Sequence, residues 1–280
     1  MNLIVQGHDI PTPRLKQLAQ LSGASSIEAV SLTAFRLPAA DDSQRAEVAA
    51  YCETNALDCG WVPAERRIDD FGLLVMDMDS TLITIECIDE IADMQGLKPQ
   101  VSTITEAAMR GEIDFAESLR RRVSLLAGLD QTALQRVYDD RLQLSPGAET
   151  LLAAARAAGI RTLLVSGGFT FFTERLRPRL GLDYTAANTL EVVDGKLTGR
   201  VLGSIVDAQG KADWLKRVST GLGLAKEQVI AIGDGANDLK MMGEAGVSIA
   251  YHAKPVVRTQ ASYALNQMGL DGVIPLLGAG

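Results

Sequence analysis

The chain has 280 residues, with 27 Lys and Arg against 35 Asp and Glu, so its formal net charge is −8. Hydrophobic residues make up 47% and charged residues 22%, which is typical of a folded globular protein and excludes a disordered chain. The negative charge argues against a nucleic-acid-binding protein, which needs a basic face. The length predicts one large domain or two smaller ones.

The cysteines and histidines narrow the class of protein further. Cys52, Cys59 and Cys87 cannot all pair and no CxxC motif occurs, so a disulfide framework is disfavoured and a reducing compartment is favoured. With only two histidines, a His-rich zinc site is nearly excluded. Neither a signal peptide nor a membrane span is evident in the sequence. We therefore expect a soluble, cytoplasmic protein without nucleic-acid or membrane partners.

Residues 1–70 predict a small α+β domain at the N-terminus. The expected order is strand, helix, strand, helix, strand, over residues 3–7, 11–23, 26–35, 41–55 and 57–63. The charged run AERRIDD predicts a linker after these segments. We interpret this part of the chain as a docking or stabilising module.

From residue 71 onward the pattern changes to apolar runs without alternation, as expected of strands covered on both faces. These runs lie at 72–80, 160–168, 228–235 and 246–250. Helical stretches lie at 148–159, 170–181, 211–223 and 237–246. Parallel strands alternating with helices predict an α/β fold with an open, doubly wound parallel sheet. Ligands bind such sheets at the carboxyl ends of the strands.

Residues 83–145 interrupt this alternation with helical segments. A crossover between parallel strands needs only one helix, so the insertion predicts either a cap over the site or an unrelated bundle. We expect a domain at 71–280 with a helical cap at about 83–145. Farther along, Asp194-Gly195 lies between two strand-like runs and predicts a β-hairpin.

Two carboxylates, Asp77 and Asp79, follow the first apolar run within the sequence DMDST. Like charges this close need a cation or a shared proton, and Mg²⁺ prefers oxygen ligands. Taken alone, the pair is weak evidence for a metal site, and a solvated loop explains it better. The later sequence GDGAND supplies Asp234, Asn237 and Asp238 after another predicted strand. A helix cap would explain one of these acidic residues, and the two motifs together favour a metal site.

Two further features suit a bound anion. Ser166, Gly167 and the next glycine end a predicted strand before a helix, where a hydroxyl and free amides can surround an anion, although a tight turn also needs glycines. Lys211 is predicted to open the next helix, either facing a phosphoryl group or simply solvated. A carboxylate nucleophile, a second carboxylate, a metal site and a lysine together indicate phosphoryl transfer.

These motifs, in this order, resemble the four motifs of the haloacid dehalogenase (HAD) superfamily. Longer stretches, among them DMDSTLITIECIDEIA, ITEAAMRGEIDFAESLRRRVSLL, GLDYTAAN and AIGDGANDLKMM, are similar to its phosphoserine phosphatase family, over about residues 71–255. The resemblance implies a hydrolase acting on O-phosphoserine in serine biosynthesis. Some members of that family carry an ACT-like N-terminal domain, with which residues 1–70 are compatible.

The resemblance also implies roles for individual residues. Asp77 is expected to be the nucleophile and a Mg²⁺ ligand, and Asp79 the general acid and base, with its main-chain carbonyl as the second ligand. Asp234 is the expected third ligand, oriented by Asp238. The residues expected to contact the phosphoryl oxygens are Ser166, the Gly167 amide, Lys211 and Asn237. Glu86 is expected to contact the substrate amino group, and Arg122 is expected to contact the substrate carboxylate.

The helical periodicity of the sequence indicates on which helix face Arg122 and Glu86 lie. On an ideal helix Arg122 falls at the edge of the apolar stripe that contains Leu119 and Val123, whereas Arg121 falls on the opposite face. A guanidinium at that edge suits a carboxylate, although it could also be a snorkelling arginine. Glu86 falls on the polar side of its helix, so its assignment rests on the resemblance.

The sequence therefore predicts a cytoplasmic, Mg²⁺-dependent phosphoserine phosphatase with a small-molecule substrate, for which a homodimer is also considered. A first alternative keeps the mechanism and changes the substrate to phosphohomoserine or another small phosphomonoester, or transfers the phosphoryl group to an alcohol. A second is a non-catalytic serine sensor, against which the complete set of Asp77, Asp79, Lys211 and Asp234 argues.

Overall fold

The computed structural model describes residues Met1–Gly278. The strands are β1 (Asn2–Gln6), β2 (Glu28–Ala29), β3 (Ala34–Leu37), β4 (Asp58–Val62), β5 (Leu73–Met76), β6 (Arg161–Phe169), β7 (Tyr184–Val193), β8 (Lys196–Leu202), β9 (Val229–Gly233), β10 (Val247–Tyr251) and β11 (Tyr263–Leu265). The α-helices are α1 (Thr12–Leu21), α2 (Arg45–Thr54), α3 (Cys87–Met94), α4 (Lys98–Met109), α5 (Phe115–Ser124), α6 (Thr132–Asp140), α7 (Ala148–Ala157), α8 (Thr170–Leu180), α9 (Ala208–Gly221), α10 (Leu239–Gly243), α11 (Pro255–Arg258) and α12 (Val273–Leu276).

The N-terminal residues form a small antiparallel sheet with strand order β2-β3-β1-β4. Its core is built from alternate strand residues and from apolar residues of α1 and α2, among them Leu3, Val5, Leu18, Val48 and Trp61. The predicted α+β character is confirmed. The single strand predicted over 26–35 was wrong, because the Thr33 amide donates to the Ser31 hydroxyl and the chain turns between β2 and β3.

The larger sheet has the strand order β11-β10-β9-β5-β6-β7-β8. Strands β9, β10 and β11 run parallel, as do β6 and β7, whereas β8 runs antiparallel to β7. Every residue of β5, β9 and β10 is buried, which is why these strands lack an alternating pattern. The predicted α/β fold with a mostly parallel sheet is confirmed.

The antiparallel strands β7 and β8 form the predicted hairpin. Asp194 and Gly195 connect them with φ angles of 50° and 76°. Positive φ at both central residues is the geometry of a type I′ turn, whose twist matches that of the flanking strands. The local Asp-Gly signal was therefore sufficient to predict this connection.

The chain divides into two compact units. The first contains the residues before Val75, Pro146–Arg161 and the segment from Gly223 onward, and the second contains Val75–Ser145 and Thr162–Leu222. Helices α3 to α6 lie within the predicted helical insertion. The predicted domain boundary at residue 70 and the cap role of the insertion stay predictions. Within Met1–Gly278, no helix has both the length and the apolar character that a membrane crossing requires.

Inside the first unit, Asp58 joins β4 to the segment that follows β11. Its side chain is 2% exposed. Its two carboxylate oxygens accept hydrogen bonds from the backbone amides of Asn266, Gln267 and Met268 at 2.8, 2.9 and 2.9 Å. These contacts support the interpretation of the N-terminal residues as a stabilising module.

Replacing Asp58 with Asn is expected to lower the free energy of unfolding by about 3 kcal/mol. The amide group would turn an NH₂ donor toward a backbone N–H in a buried position. Urea denaturation followed by circular dichroism measures the change. Asp9→Asn, at an exposed position near the same sheet, is the matched control and should change stability little. Equal stabilities for the two variants would contradict the proposed stabilising role of Asp58.

Candidate active site

Asp77 follows the last residue of β5 and forms a buried ion pair. Its Oδ1 atom accepts a hydrogen bond from the Met78 amide at 2.7 Å and lies 2.7 Å from Lys211 Nζ. The side chains of Lys211 and Asp77 are 1% and 7% exposed. A charge pair this well buried interacts more strongly than one at the surface, because water screens it less. The contact with Lys211 stabilises the negative charge of the Asp77 carboxylate.

Asp79 lies in a tight turn that covers Met78–Leu82, in which Asp79 and Ser80 have non-helical backbone angles. Ser80 has a φ of 56° in this turn, which folds the chain back sharply. Burial, followed by the charge of Glu86, raises the pKa of Asp79 to about 7. Its Oδ1 atom is buried and has no hydrogen-bond partner in the part of the chain that the structure describes. A carboxyl group with this pKa can donate and accept a proton near neutral pH.

Lys211 comes from helix α9, and its position in that helix differs from the prediction. The helix begins at Ala208, because the Asp207 side chain caps it by accepting a hydrogen bond from the Gly210 amide at 2.8 Å. Lys211 is therefore the fourth residue of the helix, and the prediction that it opens the helix was wrong. The solvated alternative is also excluded by its burial.

Ser166 and Gly167 lie in the irregular end of strand β6. The buried Ser166 hydroxyl accepts a hydrogen bond from the Gly168 amide at 2.8 Å. A side chain at Gly167 would place its Cβ 2.9 Å from the Phe115 ring, and one at Gly168 would lie 3.0 Å from Asp79 Oδ2. Both glycines are therefore required by the close approach of neighbouring side chains. Helix α8 begins at Thr170 as predicted, and β6 ends at Phe169, one residue past the predicted end of the strand.

Asn188 is a residue that the sequence analysis did not assign. It lies on β7, is 1% exposed, donates to the Gly167 carbonyl at 2.8 Å and accepts from the Val206 amide at 2.8 Å. It thus connects the loop at Ser166 with the segment that leads into helix α9. It lies between Ala186 and Leu190 on the buried face of β7, and a polar residue among alternate apolar positions is the signal that could have identified it.

Glu86 and Arg122 lie on two different helices of the second unit. Glu86 is exposed at the start of α3 and accepts a hydrogen bond from the Ser80 hydroxyl at 2.8 Å. Arg122, on α5, is half-buried, and its Nε atom donates to the Ser118 carbonyl at 3.4 Å. Burial lowers the pKa of Arg122, and the charges of nearby carboxylates, including Glu86 and Asp79, oppose this effect.

The predicted helical face of Arg122 is confirmed. Leu119 and Val123 are buried on one side of α5, whereas Arg121 is exposed and pairs with Glu117 at 2.7 Å. The hydrogen bond that Arg122 donates is to a backbone carbonyl of its own helix, whereas that of Arg121 is to a carboxylate.

In the first unit, Asp234 follows β9, and its backbone amide donates a hydrogen bond to Asp238. The Asp238 side chain is fully buried, and its Oδ2 atom accepts hydrogen bonds from the amides of Asp234 and Gly235 at 3.2 and 3.1 Å. Asn237 lies beside them, half-buried. The helix predicted over 237–246 is shorter, since α10 covers Leu239–Gly243.

Asp77, in the second unit, and Asp234, in the first, each follow the last residue of a strand and carry a carboxylate group. Carboxylate oxygens are the donors that hard divalent cations prefer. The donor set therefore fits the metal dependence that the sequence predicts.

Residues 74–243 match the family described as haloacid dehalogenase-like hydrolase, and residues 3–48 match a domain of unknown function, DUF4072. The chain belongs to the haloacid dehalogenase-like hydrolases. The phosphoserine phosphatase of Polaromonas sp. is 56% identical over 216 residues, which cover 75% of this chain and 92% of the relative. Within the hydrolases, the chain is therefore a member of the phosphoserine phosphatase family.

Two solved structures resemble almost the whole chain. A HAD family hydrolase from Salmonella enterica serovar Typhi has a TM-score of 0.90 at 32% identity, covering 99% of this chain and 97% of its own. A probable phosphoserine phosphatase from Vibrio cholerae has a TM-score of 0.87 at 39% identity. The alignment covers 99% of this chain and 86% of the Vibrio cholerae chain. Both alignments therefore include the N-terminal sheet as well as the hydrolase residues.

Proposed function

We propose that this protein is a Mg²⁺-dependent phosphatase that hydrolyses O-phosphoserine to serine and phosphate, the last step of serine biosynthesis. The observation that carries the proposal is the buried ion pair of Asp77 and Lys211 at the end of β5, in a chain that belongs to the phosphoserine phosphatase family. The pair joins a carboxylate that can attack phosphorus to a cation that can neutralise a phosphoryl oxygen.

The residues that would hold Mg²⁺ are Asp77, the main-chain carbonyl of Asp79, and Asp234. Asp238 would orient Asp234, since it already binds the Asp234 amide. When bound, the cation would withdraw charge from the phosphoryl oxygens and so favour attack at phosphorus.

Asp77 attacks the phosphorus atom of the substrate in line with the leaving oxygen. A bond forms between an Asp77 carboxylate oxygen and phosphorus as the bond to the serine oxygen breaks, which leaves an acyl phosphate on Asp77. Lys211, the Ser166 hydroxyl, the Gly167 amide and Asn237 hold the phosphoryl oxygens during this step.

Asp79 transfers the protons in both halves of the reaction. In its protonated form it donates a proton to the departing serine oxygen. As a carboxylate it then accepts a proton from the water that attacks the acyl phosphate, which releases phosphate and restores Asp77. A pKa of about 7 suits both roles, because neither protonation state is rare near neutral pH.

Specificity for phosphoserine is assigned to Glu86 and Arg122. Glu86 would bind the substrate amino group and Arg122 the substrate carboxylate through two parallel hydrogen bonds. Their mutual electrostatic influence supports a shared role, since the Glu86 charge opposes the effect of burial on the Arg122 pKa.

Phosphate release from a panel of phosphomonoesters, with Mg²⁺ present or removed by EDTA, tests the function. We expect O-phosphoserine to be hydrolysed fastest, phosphohomoserine and esters without the amino or carboxylate group far more slowly, and EDTA to abolish every rate. Re-addition of Mg²⁺ should restore activity. Similar rates across the panel would favour a general phosphatase. Absence of phosphate release under all conditions would favour the serine sensor.

Arg122→Gln is expected to reduce kcat/KM for O-phosphoserine by about 100-fold or more, because the substrate carboxylate would lose a charged partner. The rate on a phosphomonoester without a carboxylate should change little. Arg121→Gln, one residue away on the exposed face of α5, is the matched control. An equal loss on both substrates would contradict carboxylate recognition by Arg122.

We also propose that the enzyme works in the cytoplasm on a free small molecule. The three cysteines suit a reducing compartment, as they cannot all pair. A homodimer stays a prediction, which sedimentation of the purified protein would test.

A further inference from the structure

Two cysteines of the N-terminal module, neither of them part of the phosphatase site, lie on neighbouring elements. Cys52 is in the last turn of α2, and Cys59 is the second residue of β4. The Leu57 amide donates to the Cys52 carbonyl at 2.9 Å, so the chain returns from the helix to the strand by a short turn. Cys52 is 2% exposed within the core cluster, and Cys59 packs against that cluster while remaining half-buried.

The alternation of β4 places Cys59 on the side of the sheet where Cys52 lies. Asp58 and Gly60 point toward the segments around β11 and α12, whereas Cys59 and Trp61 point toward the helices. Cys52 lies on the face of α2 that covers this side of the sheet. Both side chains therefore belong to the same core, with Cys52 inside the cluster and Cys59 packed against it.

Cys59 also borders a cavity of about 200 Å³. Arg45 and Arg258 line the same cavity, and the Arg45 guanidinium lies 5.3 Å from the centre of the Trp61 ring. Cys59 is therefore the more accessible of the two cysteines, since it is half-buried and borders this cavity next to two cationic side chains, whereas Cys52 is covered by the core.

We propose that Cys59 is a site of reversible oxidation by hydroperoxides and that Cys52 is the thiol that resolves it to a disulfide. The proposal is independent of the phosphatase reaction, because neither cysteine belongs to the phosphatase site.

The two thiols are electronically suited to different roles. A hydrogen bond from Cys52 lowers the pKa of Cys59, which favours the thiolate, although burial opposes this effect. The same interaction, together with burial, raises the pKa of Cys52, which stays a thiol. The thiolate is the form that attacks peroxides, so Cys59 is the residue oxidised first.

The proposed oxidation of the two cysteines to a disulfide takes place in two steps. The Cys59 thiolate attacks one oxygen of hydrogen peroxide, the O–O bond breaks, and the products are Cys59 sulfenic acid and hydroxide. The Cys52 thiol then attacks the sulfenic sulfur, its proton joins the departing hydroxyl as water, and a disulfide forms. The peroxide is the oxidant, and the pair of thiols loses two hydrogens.

Cys87 provides an internal reference for the experiment. It is buried, and burial together with the nearby Asp79 charge raises its pKa well above the usual range. A buried thiol with a raised pKa reacts slowly with both peroxides and alkylating agents. Oxidation that is merely general would affect Cys87 to the same extent as Cys59.

The experiment treats the folded full-length protein with a small excess of hydrogen peroxide, alkylates free thiols after unfolding, and analyses tryptic peptides by mass spectrometry. Trypsin releases Cys52 and Cys59 together in the peptide 46–66. We expect this peptide to lose two hydrogens and to escape alkylation, with reversal by dithiothreitol, while Cys87 remains alkylated. Unchanged cysteines, or oxidation of Cys87 at the same rate, would overturn the proposal.

Two variants assign the separate roles. In Cys52→Ser, Cys59 sulfenic acid should persist long enough to be captured by dimedone, whereas in Cys59→Ser, Cys52 should remain reduced. Capture at Cys52 in the second variant would reverse the assignment and so contradict it. If either variant fails to fold, the alkylation rates of the three cysteines in the unmodified protein still decide the question: Cys59 must react fastest.

Discussion

Asp77→Asn is expected to reduce kcat by at least about 10⁴-fold while the protein remains folded. The amide that replaces the carboxylate is a poor nucleophile, and it no longer carries the charge that pairs with Lys211 Nζ at 2.7 Å. The size of the substituted group is nearly unchanged, so the packing after β5 should be retained. Phosphate release under saturating substrate, measured at high enzyme concentration, determines the residual rate.

A control separates loss of chemistry from loss of structure. Asp140→Asn makes the same chemical change at an exposed position on α6 and should leave kcat unchanged. Circular dichroism should give both variants the spectrum of the unmodified protein. Measurable turnover by Asp77→Asn, above the level of contaminating phosphatase, would remove Asp77 from the role of nucleophile.

Lys211→Met is expected to lower kcat/KM by about 10²- to 10³-fold. Methionine has a similar length and suits a buried position, but it cannot neutralise a phosphoryl oxygen. The lysine is 1% exposed and contacts Asp77, so its charge acts where water screens it little. Inhibition by inorganic phosphate should weaken in parallel, because product and substrate share the anion contact.

The matched control is Lys216→Met, on the same helix and exposed, for which activity should stay near that of the unmodified enzyme.

A double-mutant cycle that combines Lys211→Met with Asp77→Asn adds a structural test. The quantity measured is the free energy of unfolding in the presence of EDTA. Because the two charges contact each other, the double variant should be more stable than the sum of the single losses indicates. Strict additivity would show that the contact contributes nothing to stability.

Local patterns in the sequence were sufficient for much of the fold. The buried runs that became β5, β9 and β10 were recognisable without any contact information, because a strand covered on both faces must be apolar throughout. The Asp194-Gly195 turn and the apolar stripe of α5 were equally local, since each depends on residues a few positions apart. Family motifs then indicated the chemistry at the strand ends.

Contacts between distant residues could not be derived in that way. No spacing rule indicates that Lys211 pairs with Asp77, that Asp58 binds the amides after β11, or that Asn188 connects two loops. Propensity and periodicity describe how a segment folds and which of its faces is buried. The particular partner that a buried polar group meets depends on how the packed elements bring remote parts of the chain together, because such a group must find a hydrogen bond wherever the fold supplies one.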